Sequence, residues 1–146
     1  MLRIARLTDY AASLMAHLAR SPARRVSAQQ LGQELGLPNP TVAKLLKRLT
    51  QAGLMASTRG AGGGYCLARP PERITVAEII EAIEGPVALT ECVLGSCVFE
   101  ATCSAHANWR VISRAMHVAL DSVTLAQMAT PAARGLRLKL QRRESA

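Results

Sequence analysis

Apolar residues recur at helical spacing through the first third of the chain. Leu7, Ala11, Leu14, Met15 and Leu18 fall on one side of a helix predicted over Leu7 to Ala19, which Ser21-Pro22 ends. Ser27 stands as the cap of a second helix over Ala28 to Leu35. Gln30, three residues on, completes a capping box, and Gly36 supplies a left-handed stop. Asn39-Pro40 opens a third helix that runs to about Ala52, because Asn favours the cap and Pro the first helical position. Its inner face is Val42, Leu45, Leu46 and Leu49; its outer face is Thr41, Lys44, Lys47, Arg48 and Gln51.

The pattern then changes. Two short apolar runs, 54–59 and 65–68, flank Gly60-Ala61-Gly62-Gly63-Gly64, which reads as a hairpin. A phosphate-binding loop would end in Gly-Lys-Ser/Thr and lead into a helix, and this one does neither. After Pro70-Pro71 a short helix is predicted over Thr75 to Glu84. Val76, Ile79, Ile80 and Ile83 lie on one side of it, Thr75 and Glu78 form its capping box, and Gly85-Pro86 ends it. Residues 87–103 form a loop with three cysteines. A long helix follows from about Ser104 to Met128, and a basic tail over 131–146 is expected to be disordered.

The expected fold class is mainly α with a small β-hairpin wing. Three helices, a turn at Gly36-Leu37-Pro38 and a hairpin make a winged helix-turn-helix domain over 1–70. Residues 71–103 add the short helix and the cysteine loop, and 104–130 a dimerisation helix. Along that helix Trp109, Ile112, Met116, Ala119, Leu120 and Val123 form an apolar stripe, more than a small chain would leave in water, so a homodimer is expected.

Composition narrows the reading. Aromatic residues make up only 3% of the 146, so the core must be built from aliphatic side chains and Met. Charge is divided along the chain. Residues 1–69 carry ten Lys or Arg against two acids, residues 70–130 three against seven, and residues 131–146 five against one. A basic first half beside an acidic middle points to a polyanionic partner for the first half. The first twenty residues have no signal-like apolar run, and no stretch is long enough to span a membrane. The expected location is therefore the cytoplasm, where four cysteines point to metal or redox chemistry before structural disulfides.

The third helix carries the candidate DNA-reading residues. Its N-terminal outer positions, Asn39, Pro40, Thr41 and Lys44, would face base edges in a major groove, while Lys47 and Arg48 suit phosphates. Arg59 and Gly60 at the hairpin tip would reach a minor groove. A dimer would set two such helices on a palindromic double-stranded operator, about one turn apart.

Cys92, Cys97, Cys103 and His106 are the candidate metal ligands. Gly95 and Ser96 let the first segment curl, and Cys103 and His106 are expected to share a face at the start of the long helix. Soft thiolates with an imidazole take an iron–sulfur cluster or zinc, and spacing leaves the two open. Cys66, in a wing strand, reads as a small buried residue; His17 and His117 have no evident partner.

Three groups of residues carry a family resemblance. They are Leu7-Thr8-Asp9-Tyr10-Ala11, the wing run Arg59-Gly60-Ala61-Gly62-Gly63-Gly64-Tyr65, and the three cysteines followed by His106 and Trp109. With these, about residues 1–130 resemble the IscR-like family of iron–sulfur-sensing winged helix-turn-helix regulators, and most of all its SUF-system assembly regulators. The resemblance implies a homodimer and a 2Fe–2S cluster on Cys92, Cys97, Cys103 and His106. It also implies repression of cluster-assembly genes according to cluster state. Ala43 stands where the best-known member has a glutamate that tunes site choice, and the first cysteine gap is shorter by one. Some relatives hold a 4Fe–4S cluster and sense nitric oxide, which is the second possibility; a zinc-stabilised DNA-binding protein without a sensing role is the third. An enzyme or electron carrier would need a substrate pocket or partner motif, and the wing would go unexplained; no small-molecule substrate is expected.

Overall fold

The computed structural model describes residues 3–95, 97–98 and 102–130, with Cys92 through its backbone alone. The expected basic tail over 131–146 lies outside the described residues. In chain order the elements are α1 (Arg6–Ala19), α2 (Ala28–Leu35), α3 (Asn39–Gln51), β1 (Met55–Thr58) and β2 (Gly64–Leu67). A 3-10 turn (Pro71–Arg73), α4 (Val76–Glu84), a second 3-10 turn (Glu91–Leu94), α5 (His106–Asp121) and α6 (Leu125–Ala129) follow.

Local chemistry sets most of these boundaries. The Ser27 hydroxyl accepts the Gln30 amide at 3.1 Å, and the Gln30 side chain accepts the Ser27 amide at 2.9 Å. Two of the donors that a helix start leaves unsatisfied are thereby paired. Gly36 closes α2 at φ 66°, a conformation in which a Cβ would be strained. α3 begins one residue earlier than the Asn39 cap predicts, with Pro38 at the cap and Asn39 inside the first turn. There the Asn39 amide oxygen covers Gly32 of α2, where a Cβ would sit only 2.6 Å from it. The bare glycine is what lets α2 and α3 approach this closely.

Leu14, Met15, Leu31, Val42, Leu45, Leu46, Leu49 and Ile74 are fully buried and form one aliphatic core. Each such side chain contributes about 1.5–3 kcal/mol over its exposed state. The wing is an antiparallel pair in which Met55 faces Leu67 and Thr58 faces Gly64. A third rung comes from outside the hairpin. Val26 and Tyr65 exchange both backbone hydrogen bonds, at 3.0 and 2.8 Å, so the segment between α1 and α2 fastens the wing to the core.

The single long helix expected from about Ser104 to Met128 is in fact two. α5 ends at Asp121, and Thr124, in extended geometry, caps α6 through a box with Gln127. The amide of Val76 donates to the Val123 carbonyl at 2.9 Å, and that of Leu125 to the Ile74 carbonyl at 2.8 Å. A straight helix would carry Leu125 into water. The break returns it, fully buried, to the core, where α6 packs on α1 and on the first 3-10 turn.

Candidate functional site

Two sets of polar residues stand out, one on α3 and the wing, the other around the cysteines. On α3, Asn39, Pro40, Lys44 and Lys47 are exposed and Thr41 is half-buried. Among the described residues, Lys44 and Lys47 have no side-chain hydrogen bond or ion pair, and the same holds for Arg59 at the wing turn. Gly60 beside it has φ 103° and is exposed. Four of these positions lie on the first two turns of α3, where a helix set into a major groove meets base edges.

Arg48 departs from the expected outer face. It is half-buried, and its Nη1 donates to the Ile83 carbonyl in the last turn of α4 at 2.6 Å. α3 packs against α4 as well as α2, so the position that a helical wheel leaves in solvent is covered by an element 35 residues further along.

Other cations are also committed. The Arg24 guanidinium and the His17 ring both bond the Glu34 carboxylate, which joins α1, the following segment and α2. The Arg24 hydrogen bond above all, and then that of His17, hold the Glu34 carboxyl down at about 2. Arg69 bonds Glu78, and Arg25 donates to the Thr58 hydroxyl on β1. Sequence reasoning left His17 and His117 without partners; they face Glu34 and Glu81 across helix pairs, contacts with no sequence-local signal.

The cysteine loop lies between α4 and α5. Cys92 is in the 3-10 turn Glu91–Leu94, which packs on α5. The Leu89 amide donates to Ser113 at 3.3 Å, and Ser113 is the buried residue of α5. Cys97 is half-buried and Cys103 exposed, both as free thiols. α5 starts at His106 rather than Ser104, so Cys103 precedes the helix. It joins His106 through the hydrogen bond from the His106 amide to its carbonyl at 3.3 Å, not by sharing a helix face. The Nδ1 of His106 is shielded from solvent. Among the described residues no three His, Cys, Asp or Glu side chains gather into a metal-holding group. The donor chemistry nonetheless fits a soft metal centre: thiols that are not in disulfides, and an imidazole at the head of a helix. Cys66 is half-buried, less enclosed than expected, opposite Ala56 in the wing. Among the described residues no helix is long and apolar enough to cross a membrane.

A family model described as Rrf2, iron-dependent transcriptional regulator, matches residues 4–131. The HTH-type transcriptional regulator IscR of Escherichia coli O1:K1 / APEC is 33% identical over 121 residues, covering 82% of this chain and 75% of that protein. Among solved structures, CymR (YrzC), the global cysteine regulator of B. subtilis, matches with a TM-score of 0.69 at 33% identity, covering 88% of this chain and 97% of that one. T. potens IscR matches with a TM-score of 0.66 at 31% identity, covering 87% and 85%.

Proposed function

Because the chain belongs to the Rrf2 family of transcriptional regulators, we propose that it is a DNA-binding repressor whose affinity is set by a 2Fe–2S cluster. Cys92, Cys97, Cys103 and His106 would hold that cluster. The observation that carries the reading is the division of the chain's polar chemistry. Among the described residues, Lys44, Lys47 and Arg59 are cations without protein partners, while the free thiols of Cys97 and Cys103 belong to a loop braced on α5.

In this reading Asn39, Pro40, Thr41 and Lys44 address base edges, and Lys47, Arg59 and the backbone at Gly60 address phosphates or the minor groove. α5 leaves Trp109, Val111, Ile112 and Val118 exposed, which supports a homodimer presenting two α3 helices to a palindrome. When bound, the cluster would supply a centre sensitive to oxidation and iron supply. The chain's own contribution is to tie the loop to α5 through Ser113, and the loop follows directly from α4 after Gly85-Pro86, so that loop order bears on the DNA-reading half. Repression of cluster-assembly genes in the cytoplasm by the loaded form is the simplest feedback.

The test is anaerobic purification followed by visible absorption and metal analysis. A red-brown protein with about two iron and two sulfide per chain is the expected result. About four of each would replace it with a 4Fe–4S reading of the nitric-oxide-responsive kind. A colourless protein with zinc would overturn the cluster and leave a zinc-stabilised DNA-binding protein. Alanine at Cys92, Cys97 and Cys103 should remove the colour and alter promoter output; unchanged output would overturn the sensing role.

A further inference from the structure

We propose that Arg48 is a positioning residue, not a DNA contact: by clamping the last turn of α4 it fixes the angle at which α3 is offered to DNA. The proposal rests on α3 being the reading helix, and goes beyond it by assigning a basic residue of that helix to the opposite task.

The last turn of a helix presents carbonyls with no intrahelical partner and the negative end of the helix dipole. At α4 one of these, the Ile83 carbonyl, receives Arg48 Nη1 at 2.6 Å. A guanidinium is suited to this because its donors are fixed in a plane and its charge complements the dipole. The neighbouring residue ties a third element to the same turn. The Glu84 carboxylate accepts the Ala5 amide at 3.1 Å and the hydroxyl of Thr8, which is itself buried at the start of α1. That carboxylate faces the positive end of the α1 dipole.

One turn of α4 therefore holds α3 through Arg48 and α1 through Glu84. Directly after it, Gly85 at φ 88° starts the segment that runs to the cysteine loop. Lys44 and Lys47 share the helix with Arg48 but, among the described residues, have no such anchor and remain exposed. The three cations differ in environment, and the environment decides their roles: two can neutralise phosphates, and the third is already spent on a carbonyl.

Salt dependence separates a phosphate contact from a positioning residue. Each phosphate neutralised contributes about 0.9 to the slope of log affinity against log salt. The full-length protein, purified without oxygen and with its metal content matched between variants, is titrated with a random duplex of about 30 base pairs and with the duplex it selects from a random pool. Arg48→Gln is expected to keep the wild-type slope on random duplex while losing at least about tenfold of the preference for the selected one. Arg48→Lys, which can still donate to the Ile83 carbonyl, is expected to recover that preference. Lys47→Gln in the same series is expected to flatten the slope by about 0.9.

If Arg48→Gln flattens the slope by the same amount with its preference intact, Arg48 is a phosphate contact and the clamp is overturned. If neither variant changes binding, α3 is not the reader, and the functional reading falls together with the role of the clamp. Nitrogen-15 spectra of the wild-type protein remove any dependence on variant folding. The Arg48 side-chain NH signal should stay in place when random duplex is added while that of Arg59 moves. Parallel movement of both would overturn the proposal.

Discussion

The amide of Leu125 donates to the carbonyl of Ile74 at 2.8 Å, and with it α6 turns back into the core of the winged domain. Leu125 is fully buried there. Leu125→Ala is expected to lower global stability by about 2–5 kcal/mol, the usual cost of emptying a buried leucine site. Urea denaturation followed by circular dichroism measures this. A loss under about 0.5 kcal/mol, the range of an exposed surface substitution, would place α6 outside the cooperative core.

Glu34 makes stability depend on acid. Its folded-state value of about 2 lies below the ordinary 4.5, so the bridge to Arg24 and His17 contributes fully above pH 4.5 and is lost as pH falls through about 2. Wild type should therefore exceed Glu34→Gln in urea midpoint at pH 7. The gap should narrow below pH 4.5 and close near pH 2. A gap that is constant over this range would mean that the carboxylate's charge contributes nothing.

The wing depends on the bare backbone at Gly64. Its φ is 146°, and a Cβ would lie 2.8 Å from the Val26 carbonyl oxygen, the acceptor that Tyr65 uses. Gly64→Ala is expected to cost about 1–3 kcal/mol. It should also raise amide exchange at Val26 and Tyr65 more than at α2. Unchanged exchange at that pair would show that the third rung does not depend on the glycine.

In the proposed homodimer, the exposed Trp109–Ile112 face of α5 should hold the two copies together. Trp109 and Ile112 are 39% and 44% exposed and lie about one turn apart on the same helix. The double variant Trp109→Glu with Ile112→Glu is expected to sediment as a monomer at micromolar concentration and to lose affinity for palindromic duplex while its thermal unfolding stays cooperative. A wild-type protein that sediments as a monomer would remove the homodimer from the proposed function.

Short-range chemistry was legible in the chain. The boxes at Ser27/Gln30 and Thr75/Glu78, the left-handed Gly36 and the α3 inner face all stand where residue type and spacing place them. They could be read because each is decided within about one helical turn, where capping geometry and a 3.6-residue period leave few alternatives. The same patterns made the winged helix-turn-helix plan readable.

What crosses between distant segments was decided only by the tertiary structure. The stripe from Trp109 to Val123 reads as one helix, because periodicity carries no information about Ile74 and Val76, whose backbone groups stop it. Arg48 reads as an outer-face cation until α4 covers it. On the same ground His17 and His117 had no visible partners in the sequence. A hydrophobic or polar pattern fixes which side of an element seeks the core. Which carbonyl or carboxylate waits on the other side depends on how the elements meet, and only packing of the whole chain determines that.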